Sequence, residues 1–282
     1  MKKKNERAMD FLTENDSFFQ CPICYQDLEA KNNGLVCPNH HEYDLSKKGT
    51  LFFLKKAVQT EYDKAMFLPR GRLIKAGMYA PILEKIMQLT RMHGNTLDVG
   101  CGEGSFLSEL SKLGLDGIKI GFDISKDGVY EASNQPIFED IFWCIADLTN
   151  LPFQADSFDT LLNIFSPSHY KEFQRVLKDS GKLIKVIPES DYLKELRQAF
   201  FPNETKKQHY SNEKVLTKLG EEMAILENKR ITYAFDIPEN LRQDLLVMSP
   251  LEWSADEKLK RQLQENPIKK ITVDVRVIVA NF

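Results

Sequence analysis

The chain has 282 residues, 42% of them hydrophobic, with 38 Lys and Arg against 41 Asp and Glu and a formal net charge of −3. Length and apolar content suit one large globular domain plus a small one. The near-neutral charge excludes a uniformly basic nucleic-acid binder, so any such surface is local, and no apolar run is long enough to span a bilayer.

At the amino terminus Met1-Lys2-Lys3-Lys4 leads into polar residues rather than a signal-peptide core, so a cytoplasmic location without a membrane partner is expected. Five cysteines are too few and too uneven for a disulfide framework. Three of them fall in Cys21-Pro22-Ile23-Cys24 and Cys37-Pro38-Asn39-His40-His41. Zinc takes four soft or borderline donors in a tetrahedron, and a C-x2-C knuckle lets two thiolates reach one ion. The donors are Cys21, Cys24, Cys37 and either His40 or His41. The prolines after Cys21 and Cys37 and the Asn32-Asn33-Gly34 turn fit a zinc ribbon. So small a stretch cannot bury enough apolar area alone, so the ion would supply the folding energy. A redox C-x2-C pair would lack a βαβ context and leave Cys37 unexplained. Cys101 and Cys144 read as packing residues.

From Lys47 to Arg91 ten Lys and Arg face three acids, whereas Met92 to Gly181 holds six basic and fourteen acidic residues. Such asymmetry is a footprint for a phosphate backbone; an exposed amphipathic helix is the bland alternative. Phe67 to Pro81 reads as a loop that can move, with Gly71 and Gly77 as its joints, and an amphipathic run follows over Ile82 to Leu89. Tyr79 is placed to reach over the ligand of the next element.

That element is Thr96-Leu97-Asp98-Val99-Gly100-Cys101-Gly102-Glu103-Gly104-Ser105. Leu97 and Val99 read as a buried parallel strand, and Phe106, Leu107, Leu110 and Leu113 as the inward face of a helix. Gly100, Gly102 and Gly104 then occupy a strand-to-helix turn, where positive φ brings backbone amides close to a ligand. The spacing is D-x-G-x-G-x-G, not the dinucleotide G-x-G-x-x-G. It resembles the first motif of the Rossmann-like S-adenosylmethionine (SAM) methyltransferases, where the acid, Asp98 here, suits the cationic methionine end. Lys119 to Ile124 is a second strand whose Asp123 lies at the offset of a ribose-binding carboxylate. Phe142 to Asp147 is a third, closed by Asp147 and followed by Leu151-Pro152-Phe153. Phe158 to Phe165 is the fourth strand, Tyr170 to Leu177 a helix, and Lys182 to Ile187 the fifth strand. Asp191 to Phe201 reads as a helix, Asn203 to Asn212 as a mobile polar stretch able to reach substrate. Ile231 to Ile237 and Ile271 to Ala280 are strand-like, with a helix over Asn240 to Met248 between them.

Taken together, the C-x2-C…C-P-x-x-H ribbon, Tyr43-Asp44-Leu45-Ser46-Lys47-Lys48-Gly49, the Ala76-Gly77-Met78-Tyr79-Ala80-Pro81 element and Asp98-Val99-Gly100-Cys101-Gly102-Glu103-Gly104 resemble the bacterial 23S rRNA guanine-N1 methyltransferases of the RlmA family. Ile164-Phe165-Ser166-Pro167 matches as well. The resemblance implies an α/β fold: a Rossmann-like SAM-dependent methyltransferase sheet of seven strands, the last antiparallel, with a small N-terminal zinc ribbon. It implies a ribbon domain over 1–55 for RNA recognition, a basic linker and lid over 56–92 and the methyltransferase domain over 93–282. It favours His41 as the fourth ligand, and it places Tyr79, Gly102 and Glu103 against SAM and Asp147 against the adenine amino group. Where the family can carry Pro-Gly-Pro-x-His-Leu, this chain has Pro188-Glu189-Ser190-Asp191-Tyr192-Leu193, which puts Tyr192 in the histidine's place beside the cofactor.

The cofactors implied are SAM and Zn2+, and the substrate is a guanine of a domain II hairpin of 23S rRNA near the peptide exit tunnel. Transfer to guanine N1 requires an accessible Watson–Crick edge and loss of a proton. Phe165 is then a stacking residue, Ser166 a reader of the base edge and His169 a proton acceptor. The sequence leaves a homodimer open. Two other readings share parts of the pattern: a small-molecule SAM methyltransferase, which has little use for a ribbon, and a non-catalytic RNA-binding protein, which need not keep Asp98, Asp123 and the intact turn.

Overall fold

The computed structural model describes residues 2–56, 58–91, 93–136, 138–204 and 208–282. A first helix, α1 (Lys4–Asn15), leads into a three-stranded antiparallel sheet, β1 (Glu29–Lys31), β2 (Gly34–Val36) and β3 (Glu42–Asp44). The β1–β2 reversal at Asn32-Asn33 uses an asparagine that tolerates positive φ (Asn32, 54°). Buried ribbon side chains Phe19, Leu35 and Phe53 join Phe122 and Phe142 of the large sheet, and Phe153 of the segment that leads to its next strand, in one core. Phe11 of α1 stacks on Phe142 with centroids 5.1 Å apart.

The large sheet has eight strands in the order β10-β11-β9-β8-β5-β6-β7-β4: β4 (Leu51–Phe52), β5 (Thr96–Val99), β6 (Lys119–Asp123), β7 (Ile141–Ile145), β8 (Phe158–Ile164), β9 (Leu177–Pro188), β10 (Ala224–Asp236) and β11 (Lys270–Asn281). Seven of these are the expected strands, and β11 runs antiparallel between β9 and β10. The eighth corrects the expected count. Leaving the ribbon, β4 pairs in parallel with β7, Leu51 beside Cys144 and Phe52 beside Ile145, because a two-residue strand gains enough ladder only by extending an existing edge. The strand order reverses at β5 and β8, which creates the crevice where open α/β sheets bind ligands.

The stretch expected as a mobile loop from Phe67 is instead mostly helical. Asp63 caps α2 (Lys64–Lys75) by accepting from the Met66 amide at 3.1 Å, and Met66, Phe67, Leu73 and Ile74 bury its apolar face. Gly71 marks a close approach: a Cβ there would lie 3.0 Å from Ser105 Oγ, so α2 packs directly on the glycine turn. Gly77 (φ 92°) ends the helix before α3 (Ala80–Leu89). Helix α4 (Ser105–Lys112) follows the glycine turn, with Phe106, Leu107 and Leu110 inward as expected. Leu113 is its C-cap and is exposed, one position past the buried stripe. Helices α5 (Lys126–Ala132) and α6 (Tyr170–Val176) complete the βαβ units. Helix α7 (Lys194–Phe200) starts later than expected, since Leu193 at its N-cap adopts φ 55°. The helix expected over Asn240 to Met248 is broken into short turns at Glu239–Leu241 and Asp244–Val247. Of the polar stretch Asn203 to Asn212, residues 205–207 lie outside the described residues; Asn212 Nδ2 donates to Glu189 Oε1 at 2.7 Å.

Candidate metal and cofactor sites

Two turns of the ribbon bring four donors together. Tyr25 N–H donates to the Cys21 carbonyl at 2.8 Å, closing the first knuckle, and His40 N–H donates to the Cys37 carbonyl at 2.9 Å, closing the second. Sγ of Cys21, Cys24 and Cys37 and a ring nitrogen of His41 all lie within 4.8 Å of one another. His41 Nδ1 is 3.4 Å from Cys21 Sγ and 3.3 Å from Cys37 Sγ, and Cys24 and Cys37 Sγ are 3.6 Å apart. A tetrahedral zinc with thiolates at about 2.3 Å has donor–donor edges of roughly 3.7 Å, so this donor set fits that ion. The two-way choice resolves in favour of His41; His40 takes φ 60° and is exposed. Tyr43 Oη lies 3.3 Å from Cys21 Sγ, and the His41 amide donates to Cys37 Sγ at 3.3 Å, contacts that steady a thiolate. The Gln26 backbone leads in pulling the Cys24 thiol down to about 6.

The knuckle also touches the large sheet. Asn150 Nδ2 donates to the Pro22 carbonyl at 2.9 Å, and the Asn150 amide donates to the carbonyl of Asp147. Asp147 Oδ1 accepts from the Thr149 amide and hydroxyl, both at 2.8 Å. The turn bearing Asp147 is thus fastened to the ribbon.

At the glycine turn, Gly100, Gly102 and Gly104 take φ of 71°, 54° and 73°. Asp98, 2% exposed, lies at the end of β5 with Oδ2 unpaired and buried. Burial first, then the neighbouring Asp123 and Glu103, pushes its carboxyl up to about 7. Burial also raises Glu103 and Asp123. Asp123 accepts from the Gly102 amide at 2.9 Å and the Ser125 amide at 2.8 Å, which aims its carboxylate at the turn. The arrangement is an acidic cradle with an orphaned buried carboxylate, fitted to a cation carrying a ribose. A cleft of about 280 Å³ runs here past Arg70, Gly102, Asp123, Asp147 and Phe165.

Sequence reading counted Arg70 only within a basic tract. Its guanidinium lies 5.5 Å over the Phe106 ring, and its charge offsets that of Glu103. Tyr79, 1% exposed at the N-cap of α3, has its hydroxyl 2.6 Å from that of Tyr192, 113 residues later. Phe165 packs between them, 5.6 Å from Tyr79 and 5.3 Å from Tyr192. A second chamber of about 560 Å³ opens on this aromatic group and shares Tyr62, Arg70 and Phe165 with the cofactor cleft.

Phe165 itself takes φ 55° at the end of β8 and lines both chambers. Ser166 follows, but its hydroxyl donates to the Val99 carbonyl and accepts from Asn163 Nδ2 at 2.6 Å. It ties β8 to the glycine turn, and the side chain is engaged within the scaffold. His169 caps α6, its Nδ1 accepting from the Glu172 amide at 3.3 Å. Sequence reading missed Asn163 and Lys185, which stand side by side on β8 and β9. Their signal was a polar residue inside each apolar run, Leu161 to Ile164 and Leu183 to Ile187.

Of the basic tract, Lys64, Arg72, Lys85 and Arg91 pair with Glu131, Asp244, Glu227 and Asp159. Lys47, Lys48, Lys55 and Lys56, at the exit of the ribbon, are exposed. Among the described residues no helix is long and apolar enough to cross a membrane.

Comparison with known proteins agrees with this geometry. A family model described as a methyltransferase domain matches residues 91–238, and one described as RlmA, N-terminal, matches residues 19–54. The Bacillus subtilis (strain 168) protein YxjB, a candidate 23S rRNA (guanine-N1)-methyltransferase, is 38% identical over 97% of this chain and 99% of its own length. The 23S rRNA (guanine(748)-N1)-methyltransferase of Streptomyces fradiae is 24% identical over 93% of this chain and 96% of its own. A Haloferax volcanii candidate methyltransferase, solved with the Trm112 activator, superposes with a TM-score of 0.51 at 17% identity, covering 79% of this chain and 98% of that one, which shows the shared fold.

Proposed function

Because the chain belongs to the RlmA-type 23S rRNA (guanine-N1)-methyltransferase family, we propose that it carries a methyl group from SAM to N1 of a guanine in a domain II hairpin of 23S rRNA. The observation behind this reading is the joining, through one core, of a Cys3His ribbon with an acid-lined glycine turn. SAM, a methyl donor whose sulfonium is already activated, leaves the protein mainly to align and to exclude water. In this reading Asp98 faces the cationic end of the donor, Asp123 takes the ribose, and Asp147 the adenine. Gly100, Gly102, Glu103 and Gly104 form the backbone cradle, and Tyr79 and Tyr192 close it. Zinc, held by Cys21, Cys24, Cys37 and His41, fixes the ribbon. Lys47, Lys48, Lys55 and Lys56 then meet RNA phosphates while the target base, unpaired from its hairpin, stacks on Phe165.

The test is methyl transfer from labelled SAM to 23S rRNA isolated from cells lacking the protein, with the product mapped by primer-extension arrest. A single new stop at a domain II guanine is the expected result. Transfer to a small molecule, or SAM binding without RNA labelling, would refute the reading. The same preparation in sedimentation velocity reports whether the enzyme acts as a homodimer.

A further inference from the structure

Eight Asp, Glu and Lys side chains are buried among the described residues, and two of them, Asp98 and Glu103, belong to the glycine turn. Five of the other six sit in ion pairs: Lys119 with Asp140, Asp159 with Lys178 and Arg91, Glu172 with Arg175, Glu189 with Arg276, and Asp274 with Arg230. That leaves Lys185. It is 3% exposed, lies on the strand beside the end of β8, and meets only neutral oxygens among the described residues.

The hydrogen bonds around its Nζ form a consistent chain. Nζ donates to Asn163 Oδ1 and to Ser168 Oγ at 2.8 Å. Ser168 Oγ in turn donates to Asn163 Oδ1 at 3.0 Å, so both acceptors are oriented by groups other than the lysine. A third contact, the Ser166 carbonyl at 3.4 Å, is at the limit of a hydrogen bond. A neutral amine has two N–H donors and one lone pair, and this nitrogen has two good acceptors and one slack position. The side chain also lines a chamber of about 380 Å³ that shares Phe165, Ser166 and Pro167 with the cofactor cleft. Facing it across the chamber are Tyr170, Tyr210, Lys214 and Lys218, with no carboxylate in the lining. Burial alone lowers the ammonium to about 8.

We propose that the Lys185 amine is the base that takes the N1 proton of the target guanine. The inference rests on the rRNA reading above. The N1–H bond breaks and its proton goes to Nζ; the N1 electron pair forms the bond to the methyl carbon, and the carbon–sulfur bond breaks onto sulfur. The ammonium formed is received by Asn163, Ser168 and the Ser166 carbonyl, then returns its proton to solvent. Other groups are less suited: His169 spends Nδ1 on its helix, and Tyr79 and Tyr192 are buried as a hydroxyl pair.

Single-turnover methylation of 23S rRNA by the wild type and Lys185→Gln, followed across pH, tests this. The variant should bind SAM as the wild type does and lose about 10²-fold in rate at neutral pH. The deficit should shrink as pH rises into the range where guanine N1 ionises unaided. Lys185→Arg keeps a cation and its donors but cannot act as a base, so it should show the same alkaline rescue and serves if the glutamine variant folds poorly. A deficit constant with pH, or an undiminished rate, would overturn the assignment and leave Lys185 a scaffold residue. If the wild type itself gives no N1 arrest, the rRNA reading falls and this one with it, an outcome distinguished by the missing stop.

Discussion

The metal cluster and the cofactor cleft share one core but are built on opposite principles. Cys21, Cys24, Cys37 and His41 span 21 residues and are arranged by two short turns whose own hydrogen bonds fix the donors. The cleft and its adjoining chamber collect Arg70, Gly102, Asp123, Asp147, Phe165 and Tyr192 from strand ends and helices far apart in the chain. The first site is therefore rigid through local geometry and covalent spacing, whereas the second holds buried like charges that only the surrounding fold keeps together. One consequence is that damage to the ribbon should spread through shared packing, while removing a cleft carboxylate should cost ligand binding without lowering the stability of the chain.

The largest effect is expected from Cys37→Ser or chelation. Zinc content measured by atomic absorption should fall from one ion per chain to none, with a loss of stability on the order of several kcal/mol. Because Phe19 and Leu35 share a core with Phe142 and Phe153, the calorimetric transition of the whole chain should move down. If only a minor early transition appears, the ribbon folds apart from the sheet.

Next in size is Asp98→Asn. SAM affinity by titration calorimetry should drop about 10²-fold, a buried charge-assisted contact being worth roughly 3 kcal/mol, while the apoprotein melts higher. The sign follows from linkage. A carboxyl raised to about 7 in the fold is stabilising below its unfolded value near 3.8, and that contribution is lost as pH rises toward 7. Removing the charge recovers on the order of 2 kcal/mol at neutral pH. By the same argument wild-type SAM affinity should rise as pH climbs through 7, with proton release detectable in buffers of different ionisation enthalpy. An affinity flat from pH 6 to 8 would argue against this role.

A smaller change is expected from Tyr192→Phe, which removes one hydroxyl of the 2.6 Å pair with Tyr79. About 1 kcal/mol is at stake, so SAM binding should weaken by less than tenfold with Tm nearly unchanged. Smallest is Asn150→Ala, which cuts the bond between the first knuckle and the Asp147 turn. Zinc should stay bound while SAM affinity slips a few-fold; unaltered affinity would show that the two sites are independent despite their contact.

Much of this was legible before any coordinates. The C-x2-C spacing, the D-x-G-x-G-x-G run and the acids closing the second and third strands are local patterns, and the backbone turns realise them as read. The strands themselves were readable as apolar runs, whereas a seven-strand sheet with its last strand antiparallel was what the family resemblance implied. Phe67 to Pro81 was misread because Gly71 signals flexibility in isolation, whereas here it admits α2 against Ser105 and Glu103. Ser166 and His169 looked available as polar residues after a strand, yet each spends its side chain on the backbone of a neighbouring element.

The sequence alone determined the metal ligands as far as a choice between two histidines, the glycine cradle and the class of sheet, since each depends on spacings of a few residues that bond geometry converts directly into shape. Only the tertiary structure decided that β4 extends the sheet, that Tyr79 meets Tyr192, that the charge of Arg70 is set against Glu103, and that Lys185 is buried without a counter-ion among the described residues. Those facts depend on which distant surfaces pack together, and burial, which sets both the cost of a charge and its proton affinity, is a property of the whole fold rather than of any segment.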